Sequence, residues 1–437
     1  MEPLMQVPPP GPGARAVLER DASVISQSMV REYPLVLKRA EGTNLWDVDG
    51  NRYLDFTAGI SVMNVGWNHP AVVEAVREQV GNLSHAAFLD FCAEVPVAFA
   101  EDLVQMMPPG LDRVYFSNSG AETVEAALKL ARRHTKRNYF ISFYGGFHGR
   151  TYGALSLTAA KVIQRKHFGP FLPVVHAPYP DPYRPLCPES DECALDTLAY
   201  IREEIFRTEV SPEEVAAIVV EPVLGEGGYV VPPRSFLREL RDLCDEHGIL
   251  LVADEVQSGC YRTGRFLASE HSDIVPDIVT CAKAIGGGLP LGVTVASDEV
   301  MTWPPGSHAS TFGGNCAACA AGRAVLSILR QEGFGERVAA NGERLLDGLQ
   351  RLRDRHPIIG DVRGIGLMAA IELVQDRETK VPAHEERNRV LVRAFERGLT
   401  LLPAGESAIR FSPPLIITAE EIECGLEILD AALGGTE

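Results

Sequence analysis

The stretch Ile249–Gly288, ILLVADEVQSGCYRTGRFLASEHSDIVPDIVTCAKAIGGG, decides how the rest of the chain is read. Its first residues, 249–253, form an apolar run of strand length behind Gly248, and Asp254 closes it. A second run, 277–282, leads to Lys283, and three consecutive glycines at 286–288 follow, where backbone or ligand can approach closely. A carboxylate and a lysine at the ends of two core strands belong at one site. The seven lysines are Lys38, Lys129, Lys136, Lys161, Lys166, Lys283 and Lys380, and only Lys283 stands between an apolar strand and a glycine run. Burial there makes an amine usable as a nucleophile or imine former.

Working outward, 217–220 is another apolar run ending in a carboxylate, Glu221, and a glycine-rich loop, 222–228, follows. Pro232 and Pro233 precede a helix in which Phe236, Leu240, Leu243 and Cys244 share a face, stopped by His247-Gly248. Strand, helix and the Ile249 strand make a βαβ unit, and ligands of such parallel sheets lie outside the carboxyl ends of the strands. Glu221 and Asp254 are expected to line that edge. Val114–Ala131 reads as strand, turn and helix; Ser119 and Glu122 make an S-x-x-E capping box, and Gly120 lets an anion reach the helix amides. An S-x-x-E on its own is more often only a cap. After a short strand at 139–143, three glycines surround Phe147, His148 and Arg150. An aromatic there can stack on a planar ring and the arginine can fork a carboxylate, although loop filler and a surface arginine explain them equally well.

Residues 1–20 are rich in proline and glycine and are expected to be disordered. Residues 45–56 form two strands about an Asp49-Gly50 turn, and 57–69 is a loop closed by Pro70. Beyond Asn315 the pattern becomes long amphipathic helices over about 317–355, a strand pair near Arg363–Met368, a helix near 387–397, short strands near 399 and 409, and a last helix from Thr418. The expected division is a tail at 1–20, part of a smaller α+β domain at 21–75, a large domain at 76–316 and the rest of the smaller domain at 317–437. Arg410 is a lone charge in an apolar strand; an exposed edge position would also account for it.

The 437 residues, 46% hydrophobic and 23% charged, suffice for a large core. A net charge of −18, with no basic block longer than a pair, argues against nucleic-acid and anionic-membrane partners and favours small molecules. The N-terminal residues lack a leader pattern, and no apolar stretch approaches the roughly eighteen residues of a membrane span, so a cytoplasmic protein is expected. Nine scattered cysteines read as thiols of a reducing compartment. Cys316-x-x-Cys319 lacks a second pair or a nearby histidine, so no metal site is expected.

A strand-end acid, a buried lysine, a phosphate cradle and an aromatic plate together answer the needs of pyridoxal 5′-phosphate: a lysine to form the Schiff base and shuttle a proton, and an aspartate to keep the ring nitrogen protonated. With that conjunction the sequence resembles the class III aminotransferases of the fold type I pyridoxal-phosphate enzymes over about residues 30–435. Asp254-Glu255-Val256-Gln257, the 29-residue step from 254 to 283, and Lys283 before Gly286-Gly287-Gly288 carry the likeness. The nearest pattern is the 4-aminobutyrate and ornithine type of ω-aminotransferase.

The resemblance implies a large domain with a mostly parallel central sheet flanked by helices, and a smaller α+β domain drawn from both termini. It implies Lys283 as the Schiff-base lysine, Asp254 on the ring nitrogen, Val256 against the ring, Gln257 on the 3′-oxygen and Phe147 stacked opposite, followed by His148. Ser119, Gly120 and Ala121 would hold the phosphate. Thr311 would reach the phosphate of the partner subunit in a homodimer with its site at the interface, with tetramers open. Arg150 would bind a distal carboxylate and Arg410 the α-carboxylate of glutamate or 2-oxoglutarate. Glu226 would neutralise that arginine when the donor lacks such a group, because an unpaired buried charge is costly. Glu221 and Ile60 match further pocket residues. The implied reaction moves an amino group from an ω-amino acid to 2-oxoglutarate; an amino-acid racemase, epimerase or aminomutase is the alternative on the same scaffold. Trp67-Asn68, Cys260-Tyr261 and Leu224 depart from the family pattern and are expected at the pocket mouth.

Overall fold

The computed structural model describes residues 2–188 and 192–435. They fall into two compact units, Pro70–Gly335 and Met1–His69 with Glu336–Glu437. The larger unit is built on seven strands: β1 Arg113–Ser117, β2 Tyr139–Phe143, β3 Val174–Ala177, β4 Val215–Val220, β5 Leu250–Asp254, β6 Ile278–Cys281 and β7 Gly292–Ala296. Their order is β1-β7-β6-β5-β4-β2-β3. Only β7 runs against its neighbours; the others pair in parallel. Strands β4 and β5 are buried at every position because helices cover both faces, which is why they read as continuous apolar runs. The helix Ser235–His247 between them buries Phe236, Leu240, Leu243 and Cys244 and ends at Gly248 in the left-handed conformation, as its sequence predicts.

The unit boundaries differ from the expected ones. Helix Cys316–Leu329 packs on helices Pro70–Asn82 and Glu94–Val104, so it belongs to the larger unit. Its packing face is made of small residues, Cys316, Ala318, Cys319, Ala321 and Gly322, and a Cβ at Gly322 would meet Phe99 at 2.6 Å. A small-residue face of this kind shows helix but not which domain it serves.

The smaller unit has two four-stranded sheets. In one, the strands of the Asp49-Gly50 hairpin, Asn44–Asp47 and Arg52–Asp55, pair antiparallel, and Leu399–Thr400 joins in parallel from the far end of the chain. The other runs Ile359–Ile365, Met368–Leu373, Ala408–Phe411, Leu402–Ala404. Arg410 pairs with Ala370 on one side and Leu402 on the other, and only 7% of it is exposed; the edge explanation fails.

The expected disorder of residues 1–20 is also corrected. Leu4 exchanges two backbone hydrogen bonds with Arg52, and Asn51 Oδ1 accepts from the amides of Gln6 and Val7. Pro12 opens the helix Pro12–Val24, whose Gly13 and Ala14 amides donate to the two carboxylate oxygens of Asp49 at 2.7 and 2.8 Å. A carboxylate 35 residues downstream thus does the work of a local cap. Composition near the terminus cannot reveal it.

Candidate active site

The carboxyl ends of the parallel strands gather most of the expected residues of the larger unit. Asp254 ends β5, and in register with it on β6 lies Thr280, whose hydroxyl donates to Asp254 Oδ1 at 3.2 Å. The Val256 amide donates to the same oxygen at 3.1 Å. The other oxygen, Oδ2, lies 2.7 Å from His148 Nδ1, and both side chains are buried. Burial disfavours the imidazolium, but the hydrogen bond and charge of Asp254, helped by Glu221, outweigh it and raise the His148 pKa above its ordinary value. The pair joins the two side chains where water is excluded. His148 therefore stands behind Asp254, with its imidazole engaged by the acid.

Three residues past Thr280 comes Lys283, half-buried, opening the short turn Lys283–Gly286 with a positive φ of 48°. A left-handed lysine is strained, and such strain clusters where the surrounding structure must aim a side chain.

At the end of β1 the helix Gly120–Thr135 begins, with the Ser119 hydroxyl accepting from the Glu122 amide. The expected capping box closes only on this side. The Glu122 carboxylate passes Ser119 and accepts from the Asn118 amide at 2.6 Å and from its side chain at 3.0 Å. The first helical amides, Gly120 and Ala121 among them, have no acceptor within the helix, which is what an anion site requires. Gly120 is needed because a Cβ there would meet Val256 Cγ1 at 2.8 Å, so the turn and the Val256 side chain lie against each other. Gly149, at φ 133°, brings the next loop in as well; a Cβ on it would meet Ala121 at 2.7 Å.

That loop carries Phe147 and Arg150. The Phe147 amide donates to Glu221 Oε1 at 2.8 Å, and the Gly225 amide donates to Glu221 Oε2 at 2.9 Å. Arg150 is exposed, 5.8 Å from the Phe147 ring centre, and its segment is anchored by Glu125, which accepts from Thr151 Oγ1 and from the Gly153 and Ala154 amides. Gln257 Oε1 accepts from the Tyr229 hydroxyl at 3.2 Å. Glu226 is bound by Lys161 at 2.7 Å. Thr311 is exposed, next to Ser310, whose hydroxyl takes a hydrogen bond from Asn118 at 3.1 Å.

Ile60 and Arg410 lie in the smaller unit. Ile60, 44% exposed, sits in a run of four left-handed residues, Ala58 to Ser61, an outlying conformation for a β-branched side chain. Asp55 braces this turn by accepting from Thr57, Thr400 and the Trp67 indole, the last at 2.6 Å. The segment is joined to that of Arg410, since Ser412 bonds the carbonyls of Phe56 and Thr57. Trp67 is thus part of the support of the turn. Two other departures also prove structural: Leu224 is buried against Gly145 and Gly227, and Cys260 is buried while Tyr261 packs on Phe266 and Phe334.

Thr280, Tyr229, Glu125 and Lys161 were not singled out from sequence. Each acts through pairing with a residue on another segment, and nothing local marks it. Glu255, quoted only as part of a motif, is buried and accepts from Ser258, Ala268 and Ser269, fixing the loop after β5.

The donor set fits pyridoxal phosphate: amides at a helix start for the phosphate, a buried acid for the ring nitrogen, an amide side chain for a ring oxygen, an aromatic ring and a strained lysine. These features define a pyridoxal-phosphate enzyme of fold type I. The comparisons narrow the class. The model of the family "Aminotransferase class-III" matches residues 25–433, and the chain belongs to that family; it is a transaminase that uses pyridoxal phosphate. It is 42% identical over 424 residues to a 5-aminovalerate aminotransferase of Pseudomonas aeruginosa, covering 95% of this chain and 97% of that one. It is 38% identical over 443 residues to an alanine/serine racemase of Pyrococcus horikoshii, covering 99% and 93%. The PLP-bound structure of an amine transaminase from an uncultivated Pseudomonas species superposes with a TM-score of 0.88 at 32% identity, covering 94% of this chain and 97% of that one.

Proposed function

We propose that the enzyme transfers the amino group of an ω-amino acid, of the 4-aminobutyrate, 5-aminovalerate or ornithine kind, to 2-oxoglutarate, giving a semialdehyde and glutamate. The observation that carries this reading is Arg410, a buried arginine inside an apolar strand with only 7% of the residue exposed. Its planar fork of donors matches the geometry of a carboxylate, which suits it to recognise one. The likeness to the 5-aminovalerate enzyme supports the ω-amino donor.

In this reading bound pyridoxal phosphate supplies the ring that takes up electrons when the substrate Cα–H bond breaks. Lys283 would hold the cofactor by its amine and, once released by substrate, its Nζ would take up and return the substrate Cα proton. Asp254, hydrogen-bonded by His148 and Thr280, would pair with the ring nitrogen and favour its protonated form. Val256 and Phe147 would pack against the ring, Gln257 would bond its oxygen, and Ser119, Gly120 and Ala121 would hold the phosphate. Arg150 takes the distal carboxylate and Arg410 the α-carboxylate of glutamate, Glu226 stands in for an α-carboxylate that the donor lacks, and Ile60 and Glu221 shape the pocket. We further propose a homodimer in which Thr311 serves the partner's phosphate. The exposed apolar side chains Leu83, Leu89, Phe91 and Phe312, each at least 44% exposed in the larger unit, support such a contact.

The test is to incubate the enzyme with 4-aminobutyrate, 5-aminovalerate or ornithine and 2-oxoglutarate. Glutamate is the expected product. Absence of glutamate with every ω-donor, together with inversion of single L-amino acids when no oxo acid is supplied, would establish the racemase alternative instead.

A further inference from the structure

We infer that Glu125 is a positioning residue for the cofactor: it sets how closely the loop that carries Phe147 stands to the turn that receives the phosphate. This rests on the cofactor placement proposed above. Phosphate and ring are joined by a short link, so the groups that receive them must stand at a set separation before the cofactor binds. A loop that still has to be ordered draws on the binding energy to do so. Glu125 lies on the helix Gly120–Thr135, whose first amides are assigned to the phosphate, and its neighbours Val124, Ala126, Ala127 and Leu128 are buried, so its mount is fixed.

From that mount the carboxylate reaches a second helix, Tyr152–Leu157. Glu125 Oε1 accepts from Thr151 Oγ1 at 2.6 Å and from the Gly153 and Ala154 amides at 2.8 and 3.1 Å. Thr151 stands at the N-cap of this helix but gives it no side-chain cap, because its hydroxyl turns to Glu125. Glu125 caps the helix in its place, with charge-assisted hydrogen bonds. Position 153 must be glycine, since a Cβ there would strike the Glu125 carboxylate. The pinned helix in turn holds the Phe147 loop: Thr158, just past its far end, accepts from the His148 amide at 2.9 Å and donates toward the Gly149 and Ala154 carbonyls at 3.0 and 3.1 Å. The loop so held abuts the phosphate turn, where a Cβ on Gly149 would lie 2.7 Å from Ala121. One carboxylate thus ties the ring-stacking loop to the helix of the phosphate turn.

The experiment titrates the apoenzyme with pyridoxamine phosphate, the amine form of the cofactor, which needs no bond to Lys283, and separately with inorganic phosphate. In Glu125→Ala the dissociation constant of pyridoxamine phosphate is expected to rise about tenfold, the factor conferred by one hydrogen bond to a charged group at the low end of its range. Inorganic phosphate should bind no more weakly than to the wild type. Glu125→Gln, whose amide oxygen still offers an acceptor to the same donors, should recover most of the affinity. Thr151→Val, which removes one donor and keeps the carboxylate, should shift the constant in the same direction by less and add nothing in a Glu125→Ala background; it decides the question if Glu125→Ala does not fold. A lowered unfolding midpoint with unchanged affinity of the folded apoenzyme, equal weakening of both ligands, or no recovery in Glu125→Gln would overturn the inference and leave the cofactor placement intact. Pyridoxamine phosphate binding that Phe147→Ala does not weaken would overturn the placement, and the inference with it.

Discussion

At the scale of single residues, Glu221 is the group whose ionisation is most finely placed. Burial drives its pKa up from 4.5; the His148 charge opposes that, Asp254 adds to it, and the Phe147 and Gly225 amides pull it back, leaving it at about 7. An acid whose pKa is raised on folding stabilises the fold fully below its unfolded value and loses that contribution as pH rises through the folded one. The window here is from 4.5 to about 7, and the contribution lost across it is about 3 kcal/mol at 1.36 kcal/mol per unit. Replacing Glu221 by Gln should therefore flatten urea-unfolding stability between pH 5 and 8 and make the variant the more stable protein at the alkaline end. Superimposable pH profiles for the two proteins would contradict this environment for Glu221. Asp254 and Lys283 were legible from sequence because each ends an apolar run. Their neighbours Thr280 and His148 were not legible as partners, since register between β5 and β6 and the path of a glycine loop decide those contacts.

Among the elements, the strands and helices of the βαβ unit follow from period and caps, and the hairpin from Asp49-Gly50. The N-terminal helix does not, because its cap is Asp49 on a distant turn. Asp49→Ala would remove two charge-assisted acceptors from the Gly13 and Ala14 amides, and its opening should become easier by about 2 kcal/mol. Hydrogen exchange of 12–24 should then accelerate some thirtyfold, a factor that follows from 1.4 kcal/mol per tenfold, with exchange in β4 and β5 unchanged. Undiminished protection in the helix would show that other contacts hold it. The turn at 58–61 was equally hidden: a loop was legible, but not four left-handed residues braced by Asp55 and Trp67.

For the molecule as a whole, the cofactor was legible in the conjunction of Asp254, Lys283, the Ser119 turn and the Phe147 loop, the fold type through the family resemblance those motifs carry, and the comparisons place the chain in the class III aminotransferases. Domain limits were less so, because a helix faced with alanine, glycine and cysteine suits either unit. The chemistry depends on one lysine out of seven being the residue joined to pyridoxal phosphate. Borohydride reduction of the holoenzyme fixes the cofactor on the amine to which it is joined, and peptide mass spectrometry then locates it. The label should lie on Lys283 alone and be lost in Lys283→Ala; a label on any of the other six lysines, or retained by the variant, would contradict the account.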